Sequence, residues 1–171
     1  GDTNAVMDAF LWRSVSGAIE RVSLAYDGSE AETGIGGGGE IGGRGAPGVM
    51  ADRCAGDACV PVDQGNSRIV FDASDFESTL VPGDDNGESD VFLRNRVTAT
   101  TTRLSENGAG TGGDCDSHSP AISRDGRYVA FFSCAGNLGL GTLSDEVVVL
   151  ELATGALSSA TVTVDGGEPD N

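Results

Sequence analysis

Lysine is absent from the 171-residue sequence, whose cationic side chains are ten arginines set against 27 aspartates and glutamates. The formal charge is therefore −17. A surface this negative repels phosphate backbones and anionic headgroups, which excludes nucleic acid and the membrane surface as partners. Long apolar runs are missing too. Stretches such as Val147-Val148-Val149-Leu150 fall far short of the roughly 20 residues that span a bilayer. Aromatic residues reach only 5% and hydrophobic residues 38%, too little for a helical bundle. No signal peptide heads the chain, which opens on Gly1 in place of Met, as expected of a processed product or an excised segment. What is plentiful is glycine, at 27 residues, and with it short elements and many turns. The length suits one domain of ordinary size.

The turns expose an internal repeat once they are aligned. Asp8-Ala-Phe-Leu-Trp-Arg-Ser-Val-Ser-Gly17, Asp90-Val-Phe-Leu-Arg-Asn-Arg-Val-Thr-Ala99 and Glu146-Val-Val-Val-Leu-Glu-Leu-Ala-Thr-Gly155 each join an acid, a short apolar run and a two-residue turn. Each continues into a second strand and then a further turn, at Asp27-Gly28, Asn107-Gly108 and Asp165-Gly166. Each is read as a β-hairpin. A second unit occurs twice: Cys59-Val-Pro-Val-Asp-Gln-Gly-Asn-Ser-Arg-Ile-Val-Phe71 overlays Ser119-Pro-Ala-Ile-Ser-Arg-Asp-Gly-Arg-Tyr-Val-Ala-Phe131 without gaps. Ten strands follow. The expected class is all-β, a propeller-type repeat of antiparallel four-stranded sheets, about two and a half blades in one domain. The divisions expected are a half blade at 1–28, a Gly-rich insertion at 29–58, a blade at 59–107 and a blade at 119–166. Gly34–Gly39 and Gly43–Gly48 inside the insertion both satisfy G-x-G-x-x-G, but neither follows a strand nor opens a helix, so a flexible surface loop is the better reading.

The four cysteines suggest two pairs. Cys54 and Cys59 bracket a Gly56-Asp57 reversal, and Cys115 and Cys134 flank a hairpin centred on Asp125-Gly126, within one diagonal step of each other. The competing reading is zinc, from the C-x-x-H spacing of Cys115 and His118. Disulfides imply periplasm, cell surface or secretion.

Val81-Pro-Gly-Asp-Asp-Asn-Gly-Glu-Ser-Asp-Val-Phe-Leu-Arg94, followed by a Thr-rich strand and Ser119-Pro-Ala-Ile-Ser-Arg-Asp-Gly-Arg-Tyr-Val-Ala-Phe-Phe-Ser133, resembles the WD-like repeats of TolB-like bacterial β-propellers. The resemblance implies propeller blades, an extracytoplasmic location and binding or scaffolding roles, with no shared catalytic set. Such propellers usually close with six or more blades, and this chain has fewer.

Two loops carry the most specific chemical signal. Asp2, Asn4 and Asp8, and again Asp84, Asn86 and Asp90, read D-x-N-x-x-x-D. Oxygen side chains at such positions converge on one hard cation, so calcium is the expected cofactor. The resemblance to calcium-binding repeats points the same way, and Asx-turns are the plainer alternative. The third copy offers Leu140, Thr142 and Glu146 and should be empty. His118 lies between Ser117 and Ser119, with no nucleophile elbow nearby. Trp12 is the one aromatic considered as a ligand platform; the rest are expected to pack between sheets. These features together predict a non-catalytic extracytoplasmic module, calcium-stabilised, that self-associates through unpaired sheet edges as a ring or fibre subunit or binds another extracellular protein. The alternative is the propeller portion of a secreted hydrolase or lyase. Gathering of His118 with a serine and a carboxylate distinguishes the two.

Overall fold

The computed structural model describes residues 3, 6, 8–12, 16–32, 65, 67–74, 80–140 and 145–160. The expected disulfide at Cys54 and Cys59, the metal-loop residues Asp2 and Asn4, and nearly all of the Gly-rich insertion lie outside them, as does the side chain of Trp12.

β-Branched and aromatic residues alternating with polar ones, interrupted every few residues by glycine or Asx turns, favour short antiparallel strands. Among the described residues these are β1 (Phe10–Trp12), β2 (Ile19–Arg21), β3 (Arg68–Ser74), β4 (Ser89–Asn95), β5 (Thr100–Arg103), β6 (Ser117–Ile122), β7 (Tyr128–Ser133), β8 (Glu146–Glu151) and β9 (Ala156–Ser159). A single 3₁₀ turn, Gly136–Leu138, is the one helical element among them. The strands form three antiparallel sheets in the orders β1-β2, β3-β4-β5 and β6-β7-β8-β9. β1-β2, β4-β5 and β8-β9 are the three hairpins of the first type. Gly17, Ala99 and Gly155 hold the same place in their turns, with φ of 68°, 56° and 71°.

Register confirms the repeat residue by residue. Phe10 pairs with Arg21 as Phe92 pairs with Arg103. Phe71 pairs with Phe92 as Phe131 pairs with Val148. Even the isolated bridges Leu24 to Glu30 and Glu106 to Gly112 match at the same offset of 82 that relates Asp8 to Asp90.

The sheets stack face on face. Val70, Val91 and Leu93 project from one side of the middle sheet into a core with Ile122, Val129, Phe131, Val148 and Leu150 of the third. Phe71, Ala73 and Phe92 project from its other side into a second core with Ala31, Leu80 and Val81. β4 is therefore buried along Ser89–Arg94, as a strand with neighbours on both faces must be. Polar ties join the middle sheet to the first unit on the side of the second core: Arg94 Nη1 donates to Ala25 O at 3.3 Å, and Thr101 Oγ1 donates to Leu24 O at 2.5 Å. The fold is all-β, built of the stacked antiparallel repeat sheets expected from the sequence, and no closed ring of sheets is found among the described residues.

Candidate functional site

The second acidic loop folds into a corner at the start of β4, and its three candidate ligands come together there. They meet a guanidinium. Arg103, in register beside Phe92 on the neighbouring strand, places Nη1 2.7 Å from Asp84 Oδ1 and 3.8 Å from Asp90 Oδ2. Both carboxylates are buried, and so is Arg103. Asn86 turns its amide nitrogen inward, donating to Asp90 Oδ2 at 2.8 Å and to Gly113 O at 2.9 Å, while its oxygen accepts from Glu88 N at 3.1 Å. Ser105 Oγ accepts from Val91 N at 2.9 Å and donates to Asp90 Oδ1. The corner holds the carboxylates that calcium requires and holds them on an internal cation, with an amide nitrogen facing in where a metal needs oxygen.

The first corner repeats the plan 82 residues earlier. Ser23 Oγ accepts from Ala9 N at 3.1 Å and donates to Asp8 Oδ1 at 2.6 Å. Arg21 Nη1 lies 3.4 Å from Asp8 Oδ2 and also pairs with Glu30. The third copy keeps the acid and loses the cation: Glu146 is buried, and its Oε2 has no hydrogen-bond partner among the described residues. Ser159 stands where Arg103 would fall. The two arginines and two serines are the site residues that the acidic spacing alone did not reveal. The signal was present, because Arg21-Val22-Ser23 and Arg103-Leu104-Ser105 recur at the same offset as the acids. No group of three His, Cys, Asp or Glu side chains suited to a metal occurs among the described residues.

A second polar cluster lies where β3 meets β6. His118 Nδ1 is 3.1 Å from Ser119 Oγ, and the imidazole stacks on Phe132 with ring centroids 5.7 Å apart. Asp72 accepts from the Ser119 backbone N–H; burial raises its carboxyl above the usual range, against the opposing effects of that N–H and of nearby His118. Ser119 has φ of 54°, at the break in β6 pairing between His118 and Ala121. Such strain in a non-glycine residue costs on the order of 1–3 kcal/mol.

Cys115 and Cys134 are bonded, with Cα atoms 5.4 Å apart, so Cys115 is not a zinc ligand. The bridge braces the corner. Asp116, beside Cys115, accepts from Ser89 N at 2.7 Å through Oδ1 and from Cys134 N at 3.2 Å through its carbonyl.

No family model matches the chain, and no curated protein matches it. Among solved structures it is similar to TolB from Acinetobacter baumannii, with a TM-score of 0.41 and 14% identity, over 92% of this chain and 39% of that one. The chain thus spans well under half of that protein's length.

Proposed function

We propose that the chain is a non-catalytic structural or interaction module that acts outside the cytoplasm and associates with copies of itself or with another extracellular protein. The stacking of sheets carries this reading. The middle sheet is covered on both faces, the buried acids of the first two units tie strand starts to their neighbours, and among the described residues β9 stands last in the strand order β6-β7-β8-β9. A strand at the end of a sheet is where another strand can add by backbone hydrogen bonding. The Cys115–Cys134 bond supports an oxidising compartment, and no helix among the described residues is long and apolar enough to cross a membrane.

Calcium enters the proposal as a ligand of the corners at Asp84, Asn86 and Asp90 and at Asp2, Asn4 and Asp8. In the second corner it must compete with Arg103. Weak affinity, in the range of roughly 10⁻⁴–10⁻³ M typical of extracellular modules, is expected. Sedimentation with calcium and then with chelator tests both parts. Assemblies larger than one chain that shrink on chelation are expected. A monomer under both conditions defeats the assembly reading, and masses indifferent to chelator defeat the role of calcium.

A hydrolase reading has one observation behind it, the gathering of Asp72, His118 and Ser119. Their order is unlike a relay. Asp72 meets the serine's backbone in place of the imidazole's second nitrogen, and the serine is on the nitrogen that an orienting carboxylate would occupy. A fluorophosphonate probe should leave Ser119 unlabelled. Labelling that is lost in Ser119→Ala would establish the hydrolase instead.

A further inference from the structure

The repeat shows which surfaces of the end sheets are built for contact. In the middle sheet, Val70, Val91 and Leu93 form the face that the third sheet covers. Their equivalents in the third sheet are Ala130, Val147 and Val149, since β3 maps onto β7 at an offset of 60 and β4 onto β8 at 56. Phe132 joins them, in register with Val147, and is 41% exposed. The centre of this face is apolar, with His118 stacked on Phe132 and with Tyr128, Glu151 and Ser158 at its margin, and no described sheet covers it.

The opposite end mirrors the arrangement. Phe92 and Thr101, on the middle-sheet face turned toward the first unit, are buried. Their equivalents at an offset of 82 are Phe10 and Ile19, which are 49% and 69% exposed. The two exposed faces are thus the two halves of a junction that the chain already makes internally.

We propose that two copies associate head to tail, with the outer face of β6–β9 on one chain receiving the outer face of β1–β2 on the next. This rests on the self-association reading above and moves the contact from sheet edge to sheet face. The occupant follows from continuity. Within the chain, a face of this composition is covered by another sheet of the same repeat, and a second copy is a source of one. The contact is heterologous, so it propagates into a ring or a filament according to the rotation per junction. Burial of apolar area drives it, and the −17 charge opposes it until salt screens the repulsion.

Sedimentation equilibrium at moderate salt, across a wide concentration range, provides the test with four samples: the unaltered chain, Phe132→Glu, Ile19→Glu, and an equal mixture of the two variants. The unaltered chain should grow in mass with concentration. Each variant, placing a carboxylate on one face, should associate at least tenfold more weakly, with an unchanged melting temperature because both positions are exposed. The mixture should form pairs and stop there, since each variant retains the face the other lacks. A monomeric unaltered chain overturns this proposal together with self-association in general. Association that both variants retain overturns the face contact and leaves the edge reading standing. Variants that fail to pair when mixed overturn the head-to-tail orientation.

Discussion

The corners at Asp8 and Asp90 keep the same acid, arginine and serine, yet complete the charge balance differently. Arg21 takes its second carboxylate from Glu30. Among the described residues Arg103 meets Asp84 and, at 3.7 Å, Glu106, and Gly112 stands where Glu30 would fall. The space explains the exchange: a Cβ at Gly112 would lie 2.7 Å from Arg103 Nη1 and 2.8 Å from Asn86 Nδ2. Each of these corners therefore sets its arginine against the buried acid and at least one further carboxylate. Among the described residues the corner at Glu146 keeps the acid and has Ser159 in place of the arginine.

Breaking the second corner should have the largest effect. Arg103→Met leaves Asp84 and Asp90 buried without their guanidinium, a loss of roughly 3–5 kcal/mol, readable as a fall in the urea midpoint. Arg21→Met should cost less, because its corner belongs to a two-stranded sheet at the end of the stack.

Replacing Cys115 and Cys134 together by alanine should cost about 3 kcal/mol, for a bridge spanning 19 residues. The melting temperature under non-reducing conditions reads it directly. A drop no larger than that of a surface substitution would mean that the bridge does not brace Asp116 over the second corner.

One isosteric change sharpens the contrast between the second and third corners. Asp90→Asn weakens charge-assisted bonds to Ser105 and Asn86 and should cost about 1.5–3 kcal/mol. Glu146→Gln, applied to the equivalent acid with an unbonded oxygen, should be neutral or stabilising by up to about 1 kcal/mol. Equal losses in parallel denaturant melts would show that the third acid has a partner of comparable strength.

Ala99→Gly should raise stability by about 0.5–1 kcal/mol, since alanine occupies the left-handed conformation that glycine takes in the other two copies. The last effect is a matter of direction. Burial raises the carboxyl of Asp72 in the folded chain, so its contribution is fully present below the unfolded carboxylate range and is lost as pH rises through the elevated folded value. Asp72→Asn should flatten that decline in melts compared at acidic and neutral pH.

The hairpins were legible because local rules determine them: turn residues recur at fixed places, and strand residues alternate. The opposite orientations of Phe131 and Phe132 followed from alternation alone, with one buried and the other exposed. The acids of the second loop were legible as a convergent set for the same reason. What they converge on was less visible, because Arg103 and Ser105 reach Asp90 across a hairpin, 13 and 15 residues downstream. Spacing within a loop carries no record of a partner on the next strand. The meeting of Asp72 with His118 and Ser119 was harder still, since it depends on how two sheets stack.

The burial of β4 on both faces sets the order in which the molecule opens. Its amide protons, from Ser89 to Arg94, belong to the part of the stack whose exposure requires both neighbouring sheets to separate. They should exchange with deuterium last, close to the global unfolding limit. The amides of β1–β2 and β9, each with a single neighbouring strand among the described residues, should exchange through local openings well before it. A protease that samples those openings would trim the stack from its ends and leave the middle sheet as the longest-lived fragment.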